Sequence, residues 1–218
     1  MDAAPATEDA PDDHRIVVIV PVGTLDGAKS RLGGTLDAEE RRDLATRLLR
    51  RTIAAALAAT GVGEVLVVTP DDEVRGLAVA AGARAIRQRS QGLNAGLREA
   101  RADAIAGGAD AIAVLPIDLP MASPKAISDA LAPLGHPARP VVVIVPDRHG
   151  RGTNFLAVAP PDAIEFGFGG DSRAAHAACA ADAGARLVEL DGPLRLDLDT
   201  PDDLLLVEEL DPEAVGVA

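Results

Sequence analysis

The chain has 218 residues, enough for one substantial core and short for two domains. A formal net charge of −13, with three Phe and no Trp or Tyr, argues against a nucleic-acid binder, which needs basic surface or aromatic stacking platforms. A single cysteine, Cys179, excludes an internal disulfide and a cysteine-built zinc site, and no apolar run reaches the length of a membrane span.

Met1 to His14 is acidic and rich in Pro and Ala, without the apolar segment of a secretion signal. It reads as a disordered leader before a domain spanning 15–218, and the protein is expected to be cytoplasmic. Val17 to Val22 is an apolar, mostly β-branched run that suits a strand buried on both faces, with Pro21 near its end where a missing ladder donor costs least. A loop from Gly23 to Ala28 then leads to Lys29-Ser30-Arg31-Leu32. A first strand feeding glycines and two cations can receive a polyphosphate, or it can be an ordinary strand and loop with surface cations. Neither the P-loop nor the dinucleotide glycine spacing is present.

Leu36 to Ala59 is predicted helical, with Asp37 as N-cap and Leu44, Leu48, Ile53 and Leu57 recurring at helical spacing. Glu64 to Thr69 reads as a strand, Asp71-Asp72 to Ala81 as a helix and Ala83 to Arg87 as a short strand. Gln91-Gly92-Leu93-Asn94 opens a helix to Ala106; Asn94 can cap it or meet a nucleobase edge. Ala111 to Leu115 is a strand ending in Pro116-Ile117-Asp118-Leu119-Pro120, whose prolines stiffen the turn that carries Asp118. Ser123-Pro124 starts a helix to Leu134, and Val141 to Val145 is a strand that Asp147 to Gly152 joins to the strand Asn154 to Ala159. So short a loop permits an antiparallel partner and no parallel crossover. Arg173 to Asp182 is helical, Arg186 to Leu190 a strand, and Thr200-Pro201 opens the last helix.

This alternation predicts an α/β fold: one mostly parallel sheet with one antiparallel strand and helices on both faces. Ligands of such sheets bind beyond the carboxyl ends of the strands, where Lys29, Asp118, Asp147 and Asp199 gather. Asp118, Asp197 and Asp199 supply hard oxygens suited to Mg²⁺, although Asp199, like Thr200, also stands where a helix cap belongs. Gly150-Arg151-Gly152-Thr153-Asn154 and Phe168-Gly169-Gly170-Asp171-Ser172 form a second cluster: an anion cradle of backbone N–H groups and hydroxyls, or two surface loops with a normal cap. His176, one turn after Ser172, is either a half-exposed bystander or a ligand contact. His14, His136 and His149 show no metal-binding spacing.

These stretches resemble the 2-phospho-L-lactate or phosphoenolpyruvate guanylyltransferase family of coenzyme F-420 (deazaflavin) biosynthesis, within the nucleotidyltransferases of glycosyltransferase-A-like fold. The resemblance runs from about Ile16 to Leu210, on Val20-Pro21-Val22, Ala28 to Leu32, Gly92 to Asn94, Leu115 to Pro120, Gly152 to Asn154, Phe168 to Ser172 with His176, and Asp197 to Pro201. It implies that Thr153, Gly169 and Ser172 hold a phosphorylated three-carbon acid, phosphoenolpyruvate ahead of 2-phospho-L-lactate. It implies that Asp118, Asp197 and Asp199 hold Mg²⁺ and that Lys29 contacts the triphosphate of GTP; Lys29 and Arg31 are the expected catalytic cations, and Gly92 and Asn94 are expected to meet the nucleotide. Gly23 stands where the family commonly has lysine, which leaves more to Lys29 and Arg31. The expected reaction is GMP transfer from GTP to the acid's phosphate with release of pyrophosphate, with room for product hand-over to the next pathway enzyme. Another nucleotidyltransferase, of molybdopterin or sugar-phosphate type, and a non-catalytic nucleotide-binding module are the alternatives.

Overall fold

The first apolar run forms β1 (Ile16–Pro21), which the computed structural model places inside one seven-stranded sheet. The structure describes residues 15–25, 29–135 and 138–216; the expected leader, with His14, and also His136 lie outside them. In chain order there follow α1 (Ala38–Leu57), β2 (Val62–Thr69), α2 (Asp72–Ala80), β3 (Arg84–Arg87), α3 (Leu93–Ala106), β4 (Ala111–Val114) and α4 (Pro124–Leu131). Then come β5 (Val141–Pro146), β6 (Thr153–Ala159), α5 (Ser172–Asp182), β7 (Arg186–Glu189), α6 (Pro201–Leu210) and α7 (Pro212–Val215).

Local chemistry explains the boundaries. The Asp37 carboxylate accepts from the N–H groups of Glu39 and Glu40 at 2.8 and 2.9 Å, and Glu40 reaches back to the Asp37 N–H, so α1 starts just after Asp37. Ser123 caps α4, whose first residue is Pro124. Among the described residues no helix is long and apolar enough to cross a membrane.

The sheet order is β3-β2-β1-β4-β6-β5-β7. β1 is parallel to β2 and β4, β2 to β3, and β5 to β7. β6 alone runs against its neighbours β4 and β5. Its first residues therefore lie at the sheet edge where β1 and β4 end. Helices α1, α2 and α4 pack with one face, and α3 and α5 with the other. β5 and β6 are buried throughout, as their apolar runs require, and Phe155 is the bulkiest wholly buried side chain.

One irregularity positions the site. Val145 pairs with Phe155, but Pro146 pairs with Thr153, so Asn154 is the extra residue of a bulge. Phe155 and Leu156 face opposite sides of the sheet, and strict alternation would put Thr153 with Phe155 and Asn154 with Leu156. The bulge reverses both: Thr153 meets His176 of α5, and Asn154 meets the turn at Leu194 and Arg195 on the other side.

Candidate active site

From β1 the chain moves outward through β2 and β3, then returns to lay β4 on the other side of β1. The loops after β1 and β4 therefore part, as they do at the ligand-binding switch point of open α/β sheets. A cleft of about 520 Å³ opens there, lined by Pro21 to Leu25, Lys29, Arg31, Pro116 to Asp118 and Asp199.

Lys29 is the hub of the cleft. Its side chain is 7% exposed, and Nζ stands 3.7 Å from Asp118 Oδ2 and 3.6 Å from Asp199 Oδ1. Nζ also donates to the Leu198 carbonyl at 2.6 Å. Arg31, on the 3-10 turn Ser30–Leu32, is exposed and donates to Asp199 Oδ2 at 3.1 Å. The Leu198 N–H donates to the Asp118 carbonyl at 2.8 Å, and the Leu198 side chain is wholly buried. That residue docks the Asp197–Asp199 segment against the turn after β4.

The two readings of Asp199 separate here. Thr200 is the N-cap of α6, in a capping box with Asp203, so the Asp199 carboxylate is free to face the two cations. Asp203, which the residue pattern did not single out, is the clamp. Its Oδ2 accepts from the N–H groups of Asp199 and Thr200 at 3.0 and 2.7 Å and from the Thr200 hydroxyl at 2.8 Å. Its Oδ1 forms an ion pair with Arg148 Nη2 at 2.5 Å, out of line for a hydrogen bond. Burial pushes the Asp203 carboxyl up, and the Thr200 hydroxyl, the two backbone N–H groups and Arg148 outweigh burial and hold it below the usual carboxylate value.

Asp197 is half-buried, with Oδ1 3.5 Å from Asn154 Nδ2, and Asn154 itself donates to the carbonyls of Leu194 and Arg195. Burial raises the Asp197 pKa, and the negative charges of Asp118 and Asp199 add to the rise. Among the described residues no three acidic, histidine or cysteine side chains are placed to hold one metal ion. Asp118 and Asp199 nevertheless converge on one ammonium, and a small hard cation needs only one or two carboxylates when phosphate oxygens complete its shell. The donor set therefore fits a divalent cation that arrives with a triphosphate, and the excess negative potential at Asp197 favours it.

Asp147 does not join this group. Burial pushes its carboxyl up, and the N–H groups of Arg151, Gly152 and Gly150 outweigh that and hold it below the usual value. It shapes the β5–β6 loop, accepting from the Arg151 N–H at 2.9 Å, and a Cβ on Gly152 would lie 2.8 Å from its Oδ2.

The two Gly-rich loops do meet. Arg151 pairs with Asp171, the Arg173 N–H donates to the Arg151 carbonyl, and the Thr153 N–H donates to Ser172 Oγ at 2.9 Å. Ser172 is the first residue of α5; Asp171 holds the N-cap position, with its carboxylate on Arg151 and no side-chain cap on the helix. Gly169, at φ +157°, turns the chain in a conformation that disfavours any side chain.

His176 is not half-exposed: it is 0% exposed. Its Nδ1 stands 3.0 Å from Thr153 Oγ1, Nε2 accepts from the Gly167 N–H at 3.0 Å, and the ring meets Phe168 edge-on at 4.8 Å. Burial lowers its pKa from 6.5 to about 4. Between those values the unfolded chain binds a proton that the folded ring refuses. Stability is therefore lost as pH falls from 6.5 to about 4, by roughly 3 kcal/mol, and this ring adds no slope above 6.5. Urea unfolding across that range should show the loss in the wild type and a shallower one in His176→Gln.

Asn94 does not cap α3. Gly92, at φ +89°, is the N-cap of α3, and the Asn94 amide is spent on Phe168: Nδ2 donates to its carbonyl at 2.9 Å and Oδ1 accepts from its N–H at 3.0 Å. Asn94 thus ties α3 to the Gly-rich loop, and neither Gly92 nor Asn94 lines the cleft.

The family model described as "Guanylyl transferase CofC like" matches residues 16–209. A phosphoenolpyruvate guanylyltransferase of Rubrobacter xylanophilus is 41% identical over 194 residues, covering 88% of this chain and 93% of its own. One of Sphaerobacter thermophilus is 43% identical over 189 residues, covering 86% and 90%. Among solved structures, a nucleotidyl transferase of Methanothermobacter thermautotroptrophicus superposes with a TM-score of 0.65 at 19% identity, covering 91% of this chain and 97% of that one. That likeness shows a shared fold.

Proposed function

The chain belongs to the CofC-like guanylyl transferases, and on that premise we propose that it transfers GMP from GTP to the phosphate of phosphoenolpyruvate, releasing pyrophosphate, in coenzyme F-420 biosynthesis. The observation that carries this reading is the convergence of Lys29, Asp118 and Asp199 in the switch-point cleft. A phosphate oxygen of the acceptor attacks the α-phosphorus of GTP in line. That oxygen is ionised at neutral pH, so no general base is needed.

Lys29 and Arg31 neutralise the triphosphate as charge moves onto the leaving pyrophosphate. Asp118 and Asp199, with Asp197 behind them, would hold Mg²⁺, which supplies Lewis-acid stabilisation to the α-phosphoryl group when bound. Thr153, Gly169 and Ser172 hold the acceptor. GTP already has the cations of the cleft, and a second anion cradle, one bulge residue away from Asp197, calls for a second anion.

The test is pyrophosphate release from GTP and Mg²⁺ with each phosphorylated acid in turn, and mass spectrometry of the adduct. A guanylated phosphoenolpyruvate is expected; turnover with 2-phospho-L-lactate or 3-phosphoglycerate alone overturns the acceptor assignment. Ser172→Ala removes one hydroxyl donor to a charged group, worth on the order of 1.5–3 kcal/mol. Gly169→Ala adds strain at a positive φ of roughly 1–3 kcal/mol. Both should raise the KM for phosphoenolpyruvate about tenfold or more and leave that for GTP nearly unchanged. The reverse pattern in steady-state kinetics means that the two halves of the site are exchanged.

A further inference from the structure

Thr153 and Ser172 each carry a hydroxyl hydrogen, and the surrounding bonds dictate where those hydrogens are free to go. The Gly167 N–H donates to His176 Nε2, so that nitrogen holds a lone pair. The ring is wholly buried and therefore neutral at pH 7, and its single hydrogen is on Nδ1. Nδ1 lies 3.0 Å from Thr153 Oγ1. The ring N–H donates, the hydroxyl oxygen accepts, and the Thr153 hydrogen is turned away from the histidine. Ser172 Oγ likewise accepts, from the Thr153 N–H. Both oxygens have a lone pair engaged inside the protein, and both hydrogens remain to be donated.

We propose that His176 is a positioning residue which, through Thr153, presents the Thr153 hydroxyl as a donor toward an acid group of the acceptor. The inference rests on the reading that Thr153, Gly169 and Ser172 hold the phosphorylated acid, and it gives that cradle a polarity. Two O–H donors suit a phosphate or carboxylate, which only accepts. They give no lone-pair preference to a ligand that brings its own N–H or O–H groups to this point. The edge-on contact with Phe168 and the bond from Gly167 lock the ring, so the donor direction is set before the ligand arrives.

Two measurements test it. In ¹⁵N-histidine-labelled wild-type protein at pH 7, NMR should show the His176 ring protonated at Nδ1 and bare at Nε2. A hydrogen on Nε2, or a charged ring, overturns the proposal without any variant having to fold. Kinetics with phosphoenolpyruvate then compares His176→Gln, Thr153→Val and the double variant. Thr153→Val should raise the acceptor KM roughly ten- to hundredfold. His176→Gln should raise it by a similar factor, with the GTP KM within about twofold, and the double variant should be no worse than Thr153→Val alone. Multiplying effects in the double variant would mean that His176 only packs, and the proposal fails. If Thr153→Val leaves phosphoenolpyruvate saturation unchanged while NMR finds the Nδ1 tautomer, it is the cradle reading that fails, and the proposal falls with it.

Discussion

Asp118→Asn should lower turnover by about a thousandfold, roughly 4 kcal/mol of lost transition-state stabilisation, while leaving the fold intact. An amide oxygen is a much weaker ligand for a hard divalent cation than a carboxylate, and among the described residues Asp118 is one of two carboxylates that converge on the Lys29 ammonium. The structural contribution of the side chain is small by comparison. Asp118 is a third exposed, its distance to Lys29 is 3.7 Å, and such pairs contribute at most about 1 kcal/mol. The bond that docks the Asp197–Asp199 segment uses the Asp118 carbonyl, which the substitution keeps. Thermal melting close to wild type with turnover nearly lost is the expected pair of results. Near wild-type turnover with GTP and Mg²⁺ would remove Asp118 from the reaction.

Lys29→Ala should produce two changes of opposite sign. Its kcat/KM for GTP should fall by about a hundredfold or more, because a positive charge aimed at the triphosphate is lost. Its affinity for Mn²⁺ in the absence of nucleotide, read by electron paramagnetic resonance, should rise. The ammonium now lies between Asp118 and Asp199 where a cation would go, and removing it leaves their charge, and that of Asp197, unbalanced. Lys29→Arg should restore GTP use only in part, since a planar fork does not replace a compact point charge in a nearly buried position. The backbone offers an internal control. Lys29 sits at φ +53°, a left-handed conformation that costs a non-glycine residue about 1 kcal/mol. Lys29→Gly should therefore be more stable than Lys29→Ala by about that amount, with the same loss of GTP use. Unchanged GTP saturation in Lys29→Ala would assign the triphosphate to other groups.

Much of this protein was legible in its residues. The apolar runs at Val17–Val22 and Val141–Val145 specify strands buried on both faces, because period and β-branching are local properties. The loop from Asp147 to Gly152 is too short for a crossover, and β6 is indeed the strand that runs against its neighbours. Lys29, Asp118 and Asp199 could be grouped because the carboxyl ends of parallel strands must lie at one edge of a sheet. The tertiary structure decided which members of that edge face one another. Asp147 follows a strand just as Asp118 does, yet its own loop's N–H groups claim its carboxylate. Asn94 is two residues past a glycine N-cap, and its amide goes to Phe168, 74 positions away. Asp203 reads as an ordinary first-turn acid, and only its capping box shows that it frees Asp199 for the cleft. The bulge at Asn154 and the burial of His176 carry the same lesson. Local spacing fixes which side of an element a residue faces, but a single inserted residue reverses that side. What then waits there comes from segments distant in the chain, here α5 on one side and the turn before Asp197 on the other.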